Sequence, residues 1–395
     1  MTTQTTKVTC QICSFEAHHL GPHLKQAHSL TEQAYQKLHP KADTVSDTLF
    51  AYVAATNPTG KRTPPPPPQD LKVSMAGLDL PVNCDVPADA CLIIPPHYAV
   101  PKYGKLGDDV KMALIAIASG HHTFIHGGPG TGKDAVVHAF VGMTRCPSAI
   151  YQVRPDADIE GWFYTQGFDR EGVTWFEGPL LQQLRDGYTT ENGQVVPYRI
   201  LISDFDRASK AQAESMRLVL DSIGGRVMGP QGKVYPVLEG TTIIVTANSA
   251  GGGDETGRCI SSNPIDASIM DRFQAGVNFH AMDWRDESEI CKAKFPDLVK
   301  YDPTILDQVG NATKALRAAI EKDEIYAEFT HRGVCNWLAA CQALLKWENN
   351  PKALLKRAAR LGFLDKLPDT ESRHTAQRLI DPHLKGGGLP HNLDE

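Results

Sequence analysis

Thr123-Phe124-Ile125-His126-Gly127-Gly128-Pro129-Gly130-Thr131-Gly132-Lys133-Asp134 is the stretch whose reading decides the fold. Apolar and β-branched residues lead into the glycines, which reads as a buried strand. Ala135, Val136, Val137, Ala139 and Phe140 follow with the spacing of a packed helix. Between them, Gly127, four residues, Gly132 and Lys133 form the pattern of a phosphate-binding loop. Small residues let successive N–H groups curl around an anion, and the helix N-terminus adds partial positive charge. Gly127, Gly128, Pro129, Gly130, Thr131 and Gly132 are therefore expected to cradle phosphates, with Lys133 reaching the β- and γ-phosphates. Asp134 stands where a Ser or Thr normally ligates Mg²⁺. The bland alternative is a glycine-rich turn before an ordinary helix. The common register of strand, loop, lysine and helix speaks against it.

Downstream, the same alternation continues. Ala149–Val153 reads as a second strand, and Val110–Ile117 as a helix before the first. Trp162–Tyr164 and Val173–Phe176 flank Asp169-Arg170-Glu171-Gly172, which predicts a hairpin. A helix follows from Glu177 to Gly187. A polar turn at Glu191-Asn192-Gly193 then leads to a strand over Tyr198–Ile202. That strand delivers Ser203-Asp204-Phe205-Asp206-Arg207-Ala208. A carboxylate at the C-terminal end of a core parallel strand is where a Mg²⁺-holding Asp belongs, which makes Asp204 the candidate. A helix through Leu218–Ile223 and a hairpin around Gly229-Pro230-Gln231-Gly232 are expected next. The strand Thr241–Ala247 brings Asn248 to the same sheet edge. Apolar strands alternating with helices predict an α/β fold with a doubly wound parallel sheet.

The bulk numbers exclude several classes. The 395 residues suit two or three domains. A net charge of −6 gives no global argument for nucleic acid or membrane. No apolar run approaches the roughly 18 residues of a membrane span, and the N-terminus has no charged-then-apolar signal. Nine cysteines, an odd number and mostly scattered, favour a reducing compartment over a disulfide framework. A cytoplasmic location is the expectation.

Only Cys10 and Cys13 form a close pair, and His23 and His28 follow them. Two, nine and four residues separate these four, a spacing that suits a tetrahedral Zn²⁺ site. A short knuckle would carry the thiols, and a following helix the imidazoles, over a small core of Leu20 and Leu24. So small a unit needs its metal to fold. His18 and His19 are competing ligands. Residues 41–72 read as a linker, with an unbroken proline run from Pro64 to Pro68 acting as an extended spacer. The stretch 73–104 is broken by Pro95-Pro96 and Pro101 and is expected to pack against the α/β region. From Trp284 the pattern turns helical, with helices around 287–294, 304–321, 334–345, 352–360 and 370–380, then a loose glycine-rich tail. The expected division is a finger over 1–40, a linker over 41–72, an α/β domain over 73–283, and an α-helical lid with its tail over 284–395.

Several motifs in order carry a family likeness. The Gly127–Lys133 loop is followed by Phe176-Glu177-Gly178-Pro179-Leu180, Asp206-Arg207-Ala208, Thr246-Ala247-Asn248, Gly253-Asp254-Glu255-Thr256-Gly257 and Met270-Asp271-Arg272-Phe273. From about Leu106 to Arg332 the chain resembles the MoxR-type AAA+ ATPases, and within them the ATPase subunit of cobaltochelatase. The N-terminal segment resembles the Ros/MucR zinc fingers, which bind DNA with help from basic flanks. Here Lys7, Lys25, Lys37 and Lys41 face Glu16 and Glu32. DNA binding and protein docking are both open for the finger.

The resemblance implies an ATP-binding ring, usually a hexamer, with Mg²⁺-dependent hydrolysis at subunit boundaries. It implies Asn248 as the first sensor, Arg272 as an arginine finger reaching the neighbouring site, and Arg332 as the second sensor in the lid. It also implies a von Willebrand factor A partner that the ring remodels or activates. Two departures stand out. Asp134 replaces the Mg²⁺-ligating hydroxyl. Walker B normally ends Asp-Glu, yet Phe205 follows Asp204, and the stretch to Arg207 looks one residue short. Asp206 is the remaining candidate for orienting water. The alternatives to an active ATPase are a nucleotide-bound assembly scaffold with little hydrolysis, and a DNA-binding ATPase acting through the finger.

Overall fold

The computed structural model describes residues 7–13, 15–17, 19–28, 35, 38–39, 42–46, 71–169, 172–221, 224–253, 262–347 and 351–384. The proline run at 64–68, the stretch Asp254–Gly257, His18, Lys37, Lys41 and the glycine-rich tail lie outside the described residues. The chain divides into two units, Met1–Gln69 and Asp70–Glu395.

In the first unit, β1 (Val8–Thr9) pairs antiparallel with β2 (Glu16–Ala17), and α1 (Gly21–His28) follows. Cys10, Leu20, Leu24 and Tyr35 are its buried core. Four side chains are too few to hold a domain without a further cross-link.

The second unit opens with a hairpin, β3 (Lys72–Met75) and β4 (Leu78–Pro81), turning at Ala76-Gly77. Then come α2 (Gly104–Ala118), β5 (Thr123–His126), α3 (Lys133–Thr144) and β6 (Ser148–Gln152). After α4 (Ile159–Phe163), the strands β7 (Tyr164–Asp169) and β8 (Gly172–Glu177) form the expected antiparallel hairpin. Next are α5 (Pro179–Asp186), the short pair β9 (Tyr188–Thr189) and β10 (Val195–Val196), β11 (Arg199–Ser203) and α6 (Lys210–Ser215). A second hairpin, β12 (Arg226–Met228) with β13 (Val234–Pro236), leads to β14 (Thr242–Ala247), α7 (Ala267–Met270) and β15 (Ala275–Asn278).

Five of these strands form one parallel sheet in the order β15-β5-β14-β11-β6. Because all five run the same way, their C-terminal ends share one edge. The order matters for the site. β14 lies between β5 and β11, so the segment leaving β14 is flanked by the segments leaving its two neighbours. The central strands β5, β14 and β11 are buried on both faces, as those of parallel sheets are. Ile200, Ile202, Ile243 and Val245 point into one apolar cluster with α5 and the residues after α6. Leu201 and Ile244 point into the other, with α2, α3 and the β3–β4 hairpin. Adjacent strand residues thus face opposite layers, the two-residue period of a pleated strand.

From residue 284 the chain is helical: α8 (Trp284–Lys294), α9 (Pro296–Tyr301), α10 (Ile305–Glu321), α11 (His331–Leu344), α12 (Pro351–Gly362) and α13 (Thr370–Ile380). These helices have an apolar cluster of their own, around a fully buried Trp337 whose Nε1 donates to Leu355 O at 2.9 Å.

Three expectations shift. Trp162 and Phe163 belong to α4, which Asp158 caps by accepting from Gly161 N, so the hairpin starts only at Tyr164. The helix expected over Leu218–Ile223 forms earlier, because Ser209 and Gln212 make a capping box that starts α6 at Lys210. Pro296 in the first turn permits a new helix directly after α8, and the apolar pattern alone merged α9 into a loop.

Candidate nucleotide-binding site

The loop 127–132 joins the end of β5 to the start of α3, and its glycines are demanded by the backbone. Gly127 has φ 146°, and a side chain there would collide with the carbonyl of Phe279. Gly130 has φ 73°, and a side chain there would run into the hydroxyl of Thr330, the residue preceding α11. The loop is thus folded tightly against both β15 and the start of α11.

Lys133 turns back into this loop. Its Nζ donates to Gly127 O at 2.7 Å, Gly128 O at 3.0 Å and Asn248 Oδ1 at 3.1 Å. Asn248, at the end of β14, and the lysine are therefore in direct contact. The nearby His126 is held below its ordinary pKa, first by burial and then by the Lys133 and His280 charges.

Asp134 faces the sheet. Its Oδ2 accepts from Ser203 Oγ at 3.0 Å and its Oδ1 from Thr246 Oγ1 at 2.6 Å. Sequence reasoning missed both hydroxyls, although strand parity could have found them. Ser203 shares the face of Leu201, and Thr246 that of Ile244, both of which pack toward α3. Asp204 was expected at the end of the strand, but β11 runs one residue further, through Ser203. The residue that meets the helix is Ser203. Asp204 follows in a left-handed conformation with φ 57°. Its Oδ2 accepts from Gln152 Nε2 at 3.2 Å, at the end of β6, and lies 3.9 Å from Arg207 Nε.

Asp206, the candidate for orienting water, lies in the interior. It is fully buried, and one oxygen accepts from Asn248 N at 3.0 Å, Ser249 N at 3.1 Å and Ser262 Oγ at 2.6 Å. Asp206 is enclosed, and its other oxygen has no hydrogen-bond partner among the described residues. It anchors the segment after β14 and so fixes Asn248.

The two arginines part company. Arg332, in the first turn of α11, lines a cleft of about 350 Å³ with Pro129 of the loop, Phe329, Thr330 and Gly333. Arg272 instead lies just before β15, and its Nη1 donates to Ser268 O in the preceding helix α7. Two residues on, Gln274 Oε1 accepts from His122 N, where β5 begins. The loop begins where β5 ends, about 13 Å further at roughly 3.3 Å per residue.

The N-terminal unit brings Cys10, Cys13, His23 and His28 together, with ligand atoms within 4.8 Å of one another. Cys13 Sγ lies 3.1 Å from His23 Nε2 and 3.3 Å from His28 Nε2, and Cys10 Sγ lies 3.6 Å from His28 Nε2. Two thiols and two imidazoles at these separations are a donor set for a tetrahedral Zn²⁺. His19 pairs with Val45 in a β-bridge and is not in the cluster. Among the described residues, no helix is long and apolar enough to cross a membrane.

With this geometry in hand, comparison with known proteins adds little. No protein-family model matches the chain, and no curated protein does. Solved structures do resemble it. A candidate ATPase from Cytophaga hutchinsonii has 14% identity and a TM-score of 0.33, covering 71% of this chain and 92% of its own. A point mutant of RuvB from Thermotoga maritima has 13% identity and a TM-score of 0.41, covering 68% and 71%. NtrX from Brucella abortus has 13% identity and a TM-score of 0.43, covering 71% and 61%. At such values the function has to be read from the site itself.

Proposed function

We propose that the chain is an AAA+ ATPase of the MoxR type whose Mg²⁺-holding hydroxyl and carboxylate have exchanged places. The observation that carries this is the Ser203–Asp134 hydrogen bond. Such sites place a hydroxyl on the helix after the loop and a carboxylate at the end of the Walker B strand. Here the helix carries the carboxylate and the strand carries the hydroxyl. Counted from Ser203, the stretch to Arg207 is no longer one residue short. Asp204 then falls where the water-orienting Glu belongs, and the departures at Asp134 and Phe205 become one compensated change.

The residues present fit the ligands. Asp134, Ser203 and Thr246 offer hard oxygen donors at the sheet edge, the kind Mg²⁺ takes. When bound, Mg²⁺ neutralises charge between the β- and γ-phosphates. Lys133 would trade its loop carbonyls for phosphate oxygens, and the loop N–H groups would hold the rest. Asp204, at the sheet edge beside Gln152, would orient water and accept its proton. Asn248, buttressed by Asp206, would hold the nucleophile or the γ-phosphate. Arg332 would close the cleft from α11, with the helices between residues 284 and 384 acting as a lid.

Arg272 supports a ring. Its Nη1 is engaged at Ser268 O among the described residues, which suits a guanidinium that serves a neighbouring subunit, usually in a hexamer. We further propose Zn²⁺ in the finger, which would dock a partner protein or DNA, and a von Willebrand factor A protein as the remodelled partner. Phosphate release and ATP binding by the wild-type chain and Lys133→Ala test the reading. Lys133→Ala should lose both at least about 100-fold. Equal turnover in the two proteins would dismiss the site.

A further inference from the structure

Among the described residues, one further cluster of soft donors has no part in the function above. Cys291 on α8, and His331 and Cys335 on α11, hold their ligand atoms within 4.8 Å of one another. We propose that these three side chains bind a second Zn²⁺, which clamps α8 to α11.

The placement is that of a ligand set. His331 and Cys335 stand four residues apart, so both project from one face of α11. Cys291 meets them from α8, fully buried, and Cys335 is buried too. Cys335 Sγ lies 3.3 Å from His331 Nε2. That matches the 3.1–3.6 Å separations of the finger. Zinc–ligand bonds of about 2.3 Å to sulfur and about 2.0 Å to nitrogen require about 3.5 Å between such atoms in a tetrahedron. Two thiols and one imidazole leave the fourth position to a small ligand such as water.

The surroundings of the histidine point the same way. A zinc-bound imidazole usually gives its other nitrogen to a carboxylate, which fixes the ring and its tautomer. His331 Nδ1 lies 3.2 Å from Glu287 Oε1, one helical turn before Cys291 on α8. Glu287 is itself fully buried and held by both terminal nitrogens of Arg317, at 2.8 and 3.0 Å. This leaves Nε2 facing the thiols. A core of purely apolar side chains would need none of this apparatus.

His331 sits between Thr330, which abuts the phosphate loop at Gly130, and Arg332, which lines the cleft. A metal there would set the first turn of α11 against the nucleotide site. This consequence rests on the proposed ATPase, whereas the metal site does not.

The test uses the full chain, reduced and loaded with Zn²⁺, then dialysed and assayed for metal by elemental mass spectrometry. Wild type should carry two zinc ions per chain. Cys10→Ser/Cys13→Ser should carry one, and adding Cys335→Ala should remove it. A finger-deficient chain that is folded by circular dichroism yet holds no zinc would overturn the proposal. So would one that keeps its zinc after Cys335→Ala and Cys291→Ala. Since a buried Cys→Ala change can unfold the region, Co²⁺ provides an independent readout on Cys10→Ser/Cys13→Ser alone. Thiolate-to-cobalt charge transfer in a tetrahedral spectrum is expected. A spectrum without thiolate bands, or a Cys291–Cys335 disulfide that persists in the reduced sample, would contradict it.

Discussion

Two aspartates two residues apart, Asp204 and Asp206, have opposite environments and therefore opposite expected phenotypes. Asp204 lies at the sheet edge with one amide partner. Asp204→Asn should retain ATP binding and lower steady-state hydrolysis about 10²–10⁴-fold, the usual effect of losing a general base. An unchanged rate would remove Asp204 from the mechanism. Asp206 receives two backbone N–H groups and a serine hydroxyl in the protein interior. Asp206→Ala should leave those donors unpaired and lower stability by about 1–3 kcal/mol, read from the urea midpoint. The sequence revealed Lys133 and its glycines because the loop is contiguous. It hid the partners of Asp134, because Ser203 is 69 residues away and Thr246 is 112. Only the sheet brings them to one carboxylate, and an error of one residue at the end of β11 was enough to miss the pair.

Elements were legible where local chemistry and tertiary packing agree. The hairpin of β12 and β13 turns at Gly229–Gly232, and four of the five core strands, β5, β6, β11 and β14, stand out as apolar or β-branched runs, whereas β15, only Ala275-Gly276-Val277-Asn278, was not legible. The β3–β4 hairpin was not, since its turn is only Ala76-Gly77 and its strands are four residues each. One element also carries a pH response. His122, just before β5, is half-buried and accepts from Ile243 N through Nδ1, at the start of β14. Burial, with a smaller contribution from His121, depresses it to about 4. An unfolded chain protonates this residue near pH 6.5, so its contribution is intact above that pH and is lost as pH falls to about 4. The full effect is about 3 kcal/mol. His122→Gln keeps an acceptor that does not titrate there. Its urea midpoint should therefore fall less than wild type between about pH 7 and about pH 4.5. Identical losses would show that His122 is not the responsive group.

At the scale of the whole molecule, a five-stranded parallel sheet sets the loop, Asn248 and Asp204 along one edge. If the site is shared between subunits, two inactive chains should complement each other. Arg272→Ala keeps the loop, and Lys133→Ala keeps the arginine. An equimolar mixture should recover a measurable fraction of the wild-type rate, and a mixture as inactive as its components would argue against trans action. The central claim is the exchange of hydroxyl and carboxylate, and steady-state phosphate release from four chains tests it most directly. Asp134→Ser and Ser203→Asp should each reduce turnover about 100-fold or more, as loss of an electrostatic group in such a site does. The double variant restores one hydroxyl and one carboxylate in the usual order, and should return to within about tenfold of wild type, a non-additivity expected of contacting residues. A double variant no faster than the slower single would contradict the exchange.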